Sequence, residues 1–161
     1  MSQALSKEFS ISHSKRPKGF LALRVGSKGS DVNHPIKEID AVLKAKGKGY
    51  FAKFGKSVGR IRGAKLLATT NSYLVILCFN GGKYESKTYK LKNISPDKPK
   101  DSSLYPKYYK ESLAFVGSWL EVEPSDIQVD VERLIVTSSY QKLSKVMGSA
   151  MGSCFFCTTN S

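Results

Sequence analysis

Seven apolar residues in a row, Tyr73-Leu-Val-Ile-Leu-Cys-Phe79, run directly into Asn80-Gly81-Gly82. The run has strand length and is apolar on both faces, which predicts a central strand. Asn-Gly-Gly accepts the positive φ of a tight hairpin, so an antiparallel return strand is expected over 83–91. Further strands are expected at 20–25, at 49–54 and at 119–123. In the last of these, Leu120 and Val122 share one face and Glu121 and Glu123 the other.

Helix signals punctuate these strands. Residues 35–46 carry Pro35 in the first turn, Ile36, Ile39 and Leu43 on one side, Lys44 and Lys46 in the last turn, and Gly47 as a stop. A second helix is expected from Pro106, with Tyr109, Leu113 and Val116 inward and Gly117 ending it. A third is expected over 139–151, with Leu143, Val146, Met147 and Ala150 inward. Residues 126–136 fit either a strand, through Ile127, Val129 and Val131, or a helix capped by Ser125 and Gln128. β-branched content favours the strand. The expected fold class is α+β: a mostly antiparallel sheet of about five to six strands with two or three packed helices. Residues 1–18 are expected to form a flexible basic arm, and residues 19–161 a single domain.

Charge points to a partner. The formal net charge is +13 over 161 residues. Between Asp40 and Glu85 there is no acidic residue and nine Lys or Arg residues, interleaved with Gly47, Gly49, Gly55, Gly59 and Gly63. A charge that large repels itself unless a polyanion supplies counter-charge, and glycine lets backbone approach a phosphate closely. The candidate nucleic-acid-binding residues are Lys48, Lys53, Lys56, Arg60, Arg62 and Lys65, with Lys15, Arg16 and Lys18 in the arm. Arg60 and Arg62 carry the planar fork that grips phosphate or guanine in two places. Tyr50, Phe51 and Phe54 stack on bases if they face outward and belong to the core if they do not. Gly55 to Gly63 is expected to be irregular backbone.

Other chemistry finds less support. Gly55-Lys56-Ser57 resembles the end of a phosphate-binding loop, but five residues separate Gly49 from Gly55 where four are needed. Cys154-Phe-Phe-Cys157 has the spacing of half a zinc site, yet Cys78, His13 and His34 are its only distant complements. The three cysteines make no disulfide framework, and two idle thiols are expected in that pair. Glu121, Glu123, Asp130 and Glu132 form the one carboxylate cluster that a metal-dependent nuclease would need, with no lysine closely following. Glu38 and Asp40 are expected to stand alone. No catalytic residue, metal or cofactor is assigned.

The expected function is a nucleic-acid-binding module acting through phosphate contacts. Duplex DNA is favoured over RNA, because no aromatic RNA-reading motif is present and because the irregular basic loop could straddle a backbone. A targeting or tethering role in a phage or other mobile-element system would suit its size. The alternatives are a small toxin-like or restriction-like nuclease, and a protein–protein or inhibitor module docking on an acidic partner. The acidic stretch from Glu121 to Glu132 is a possible edge for a protein contact. No apolar run of about 18 residues is present, so no membrane helix is expected. The cysteine usage and the polar N-terminus make a cytoplasmic setting the expected one.

Overall fold

The structure is a computed structural model, and it describes residues 19–26, 35–55, 60–67, 71–80, 83–149 and 154–159. Seven strands form one sheet: β1 (Gly19–Gly26), β2 (Gly49–Phe54), β3 (Ser72–Asn80), β4 (Lys83–Ser95), β5 (Val116–Pro124), β6 (Leu134–Val136) and β7 (Cys154–Thr159). Their order is β2-β5-β4-β3-β1-β7-β6. Only β1 and β3 run parallel; every other neighbouring pair is antiparallel. The mixed α+β class and the mostly antiparallel sheet follow the expectation, but the strand number exceeds it. The additional strands are the short β6 and β7, too brief or too cysteine-marked to be legible as strands.

The hairpin forms the centre as expected. β3 lies between β1 and β4, and Asn80 stands opposite Lys83. All residues from Tyr73 to Cys78 are buried, which is the physical meaning of an apolar run on both faces. One face packs Leu21, Leu23, Leu74, Ile76, Tyr89, Leu91, Leu120 and Val122 against the helices α1 (Pro35–Lys46) and α2 (Arg60–Leu67). The other packs Phe20, Ala22, Tyr73, Val75 and Leu77, with Leu134 and Val136 of β6 and Phe155 and Cys157 of β7, against α3 (Leu143–Ser149).

α1 has the bounds and inward face that its sequence predicts, with Ile39 and Leu43 buried. Gly47 ends it at φ +81, its N–H bonded to the Leu43 carbonyl at 2.8 Å. This is the left-handed cap that glycine adopts without strain. α1 then returns tightly onto β2. A Cβ on Gly49 would stand 2.9 Å from Ile39 Cδ1 and 3.1 Å from Val42 Cγ1.

Three segments depart from expectation. Residues 107–115 form a 3₁₀ helix rather than an α-helix, and Val116 and Gly117 already belong to β5. The chain runs along β2 from Leu104, whose carbonyl lies beside Gly49, to Phe115, whose carbonyl accepts the Gly55 N–H. Nine residues cover about 18 Å at the 3₁₀ rise and about 13.5 Å at the α rise, so the tighter, more elongated 3₁₀ coil spans more of the strand. Residues 126–136 are neither long strand nor helix. Ser125 Oγ accepts the Ile127 N–H at 3.0 Å, and Asp130 caps a short 3₁₀ turn (Val131–Arg133) before β6. Polar side chains there take up the backbone groups that a regular element would use. Third, the Gly55–Gly63 stretch is helical from Arg60 onward.

β4 is the longest strand, and the sheet shears along it. Its first part pairs with β3 and its second with β5, whose last paired residue is Pro124, opposite Tyr89. Thr88 therefore has no β5 partner. The Gln128 side chain replaces one, accepting from the Thr88 N–H at 2.8 Å and donating to its carbonyl at 3.1 Å.

Candidate nucleic-acid interface

α2 carries three of the predicted basic residues, Arg60, Arg62 and Lys65, in the sequence Arg-Ile-Arg-Gly-Ala-Lys-Leu-Leu. Gly63 and Leu66 are buried among its described side chains. Gly63 faces Ile94 of β4, whose Cδ1 would lie 3.5 Å from an added Cβ. The Leu66 carbonyl accepts the Ser72 hydroxyl at 2.6 Å, which pins the helix to the start of β3. The helix is thus clamped to the sheet by small and apolar residues.

Its first turn contains no acidic residue and begins with Arg60 and Arg62. Helix N-termini carry partial positive charge, so cations there oppose the dipole by about 0.3–1 kcal/mol each. A bound anion at that end would turn the repulsion into attraction.

The other basic candidates join α2 at its two ends. Lys53 is the penultimate residue of β2, half-buried, with Nζ donating to the Phe54 carbonyl at 3.0 Å. Lys56 follows in the connection to α2 and lies outside the described residues, as do Lys15, Arg16 and Lys18 of the arm. The arm is covalently tied to Gly19, whose N–H bonds to the Asn71 carbonyl at 2.8 Å. It therefore meets the sheet where the chain leaves α2. Lys48 is exposed but precedes β2 at its opposite end, about 17 Å along the strand from Phe54. The fold separates Lys48 from the others.

The three aromatic candidates divide cleanly. Phe51 is fully buried in the helix-side core. Tyr50 donates its hydroxyl to Glu121 Oε1 at 2.7 Å, and burial together with that carboxylate pushes its pKa up to about 12. Phe54 is 42% exposed, with its ring 5.7 Å from that of Tyr109. Phe115, which sequence reasoning missed, is 70% exposed. Its position off the Tyr109–Leu113–Val116 side of the expected helix was the available signal.

The rival sites disperse. Glu121 holds Tyr50, Glu123 lies 3.7 Å from Lys92 Nζ, Asp130 accepts the Glu132 N–H, and Glu132 Oε2 accepts from Ser144. No group of three or more His, Cys, Asp or Glu residues that could hold a metal occurs among the described residues. Cys154 and Cys157 sit three apart on β7, so they point to opposite faces. Cys154 packs on the helix-side core, whereas Cys157 lies in the other, where burial pushes its thiol up to about 12. They cannot share a ligand. Cys78 is buried in β3; His13 and His34 lie outside the described residues.

Asp40 does not stand alone. Its Oδ2 accepts Lys87 Nζ at 2.7 Å and its Oδ1 accepts the Tyr89 hydroxyl at 3.0 Å. Burial and the adjacent carboxylate push the Tyr89 phenol up, so it stays a donor. These groups line a cleft of about 430 Å³ with Leu43, Lys44 and Gln128, opened where β5 stops short of β4. No helix among the described residues is long and apolar enough to cross a membrane. Compared with known protein families, with curated proteins and with solved structures, the chain finds no match.

Proposed function

We propose that this protein is a nucleic-acid-binding module that grips the phosphate backbone through α2, the connection preceding it and the N-terminal arm, with DNA favoured over RNA. The observation that carries this reading is the placement of basic residues on α2. Arg60 and Arg62 open a helix with no acidic residue in its first turn, against its own dipole, on a chain of formal net charge +13. The arm and the β2–α2 connection attach at the two ends of a helix only about 12 Å long. Contacts from such residues neutralise phosphates and release counterions, so affinity falls steeply with salt.

Fluorescence anisotropy of labelled DNA and RNA across a salt series tests the proposal. Binding should fall linearly in a log–log plot. Replacing Lys53, Arg60 and Arg62 together by Ala should weaken it at every salt concentration and flatten the slope by about two to three. Unchanged affinity and slope in that triple variant would overturn the reading.

A further inference from the structure

We infer that the cleft between α1, β4 and the turn after β5 is a binding site for a small organic anion, an acid group on a short apolar body. The site shares no residue with α2, the connection before it or the arm. It therefore goes beyond the nucleic-acid reading and stands or falls without it.

The cleft arises where the sheet is incomplete. β5 stops pairing at Pro124, opposite Tyr89, while β4 runs back to Lys83. The chain turns away at Ser125, whose hydroxyl donates to the Ile127 carbonyl at 2.7 Å and accepts the Ile127 N–H at 3.0 Å. The space left beside α1 is about 430 Å³, with Leu43 and Pro124 as apolar lining. Small-ligand sites span about 300–1,000 Å³, so a compact molecule fits.

Charge chooses the occupant. Most polar groups of the lining are matched within the molecule. Gln128 holds both backbone groups of Thr88, and Thr88 Oγ1 accepts the Val129 N–H at 3.0 Å. Asp40 accepts from Lys87 and Tyr89 together. Lys44 follows Asp40 by four residues on α1, the spacing at which opposite charges pair along a helix. Asp40 is taken by β4 instead, and Lys44 makes no hydrogen bond or ion pair among the described residues. Lys87 uses one of its three N–H donors on Asp40. The lining thus holds two lysines against one carboxylate, with donors in surplus. Lys87 is also fixed in place, by Asp40 at 2.7 Å and over the Tyr89 ring at 5.9 Å from its centroid. A fixed ammonium has little freedom left to lose on binding. An acid group satisfies these donors, and a neutral or cationic ligand leaves Lys44 unmatched.

The test is an amide NMR titration at fixed ionic strength with butyrate, butyl phosphate and neutral butyramide. The Thr88 N–H and the Gln128 side-chain amide stand in the cleft wall and report its occupancy. At least one of the two acids should shift both signals saturably, and butyramide should not. The tighter acid tells carboxylate from phosphate. Lys44→Gln should weaken binding about tenfold, the scale of one charge-assisted hydrogen bond. Asp40→Asn removes the one negative charge of the lining and should tighten it. Lys44 is exposed, so its variant keeps the test valid if Asp40→Asn destabilises the fold. Shifts confined to α2 amides would overturn the cleft site and leave phosphate binding by that helix standing. No saturable shift with either acid, or equal shifts with butyramide, would overturn it as well.

Discussion

α1 and α2 lie on the same face of the sheet and obey opposite electrostatic rules. α1 has Glu38 in its first turn and Lys44 and Lys46 in its last, the arrangement its dipole favours. Its Asp40 is occupied by Lys87 and Tyr89. Asp101 is held below the usual carboxylate range by hydrogen bonds from Ser103, with Lys46 adding a smaller effect. α2 has three basic residues and no acidic one, and begins with two arginines. Helix α1 follows its dipole and pairs Asp40 within the molecule. Helix α2 begins with two arginines where its dipole disfavours cations. Where local rules agree, a segment is explained by folding; where one rule is broken, function is the better explanation.

Alkali should have the largest effect, and it should separate the two helices. The Tyr89 phenol under α1 is pushed up by burial and by Asp40, and the Tyr50 phenol moves from 10.0 to about 12. Cys157 moves from 9.0 to about 12. These groups bind protons more tightly folded than unfolded, so their stabilisation is complete below their unfolded values and is lost as pH rises through the folded ones. Circular dichroism should show unfolding between about pH 10 and 12. Arginine stays charged throughout that range while ordinary lysine discharges near about 10.4, so nucleic-acid binding should weaken over the lysine range and fail completely with the fold. Complete loss of binding while all lysines are still charged and the fold intact would break the comparison.

Glycine substitutions should distinguish the two helices next. Gly49→Ala crowds the α1–β2 junction, since Ile39 Cδ1, Val42 Cγ1 and the Leu104 carbonyl stand 2.9, 3.1 and 3.3 Å from the new carbon and must shift. Overpacking of this kind costs about 1–3 kcal/mol. Gly63→Ala in α2 meets only ordinary contacts, beginning at 3.5 Å, and should stabilise by about 0.5–1 kcal/mol through helix propensity. Urea titration of both variants reads the two signs. Asp40→Ala should then cost about 1–2 kcal/mol, chiefly because the buried Tyr89 hydroxyl loses its acceptor. The Lys87 pair contributes little, its side chains being 39% and 33% exposed. Anisotropy with Asp40→Ala should show nucleic-acid binding intact; a loss would move the functional site to the cleft.

Much of this contrast was legible in the residues themselves. The bounds of α1 were written in Pro35, Lys46 and Gly47, because caps and dipole signals are local. The central hairpin was equally local in Asn80-Gly81-Gly82. The helix α2 was obscured by its own glycines: Gly63 reads as a breaker, but it lies inside the helix, facing Ile94 with room for a Cβ. Asp40 looked solitary because its partners lie 47 and 49 positions away and meet it only through the β3–β4 hairpin. The sorting of Tyr50, Phe51 and Phe54 needed the strand's position at an edge, which alternation alone does not provide.

The smallest effect per residue is also the most direct test of the rule that α2 breaks. Arg60→Gln with Arg62→Gln removes two cations from a helix start while keeping side chains of good helix propensity. Relief of the dipole repulsion should raise stability by about 0.3–1 kcal/mol per residue at low salt, and less as salt screens it. The same double variant should bind nucleic acid more weakly. A gain in stability paired with a loss in affinity is the signature of residues retained for a partner. If stability falls instead, the arginines hold α2 to the protein itself, and the two helices differ in sequence but not in purpose.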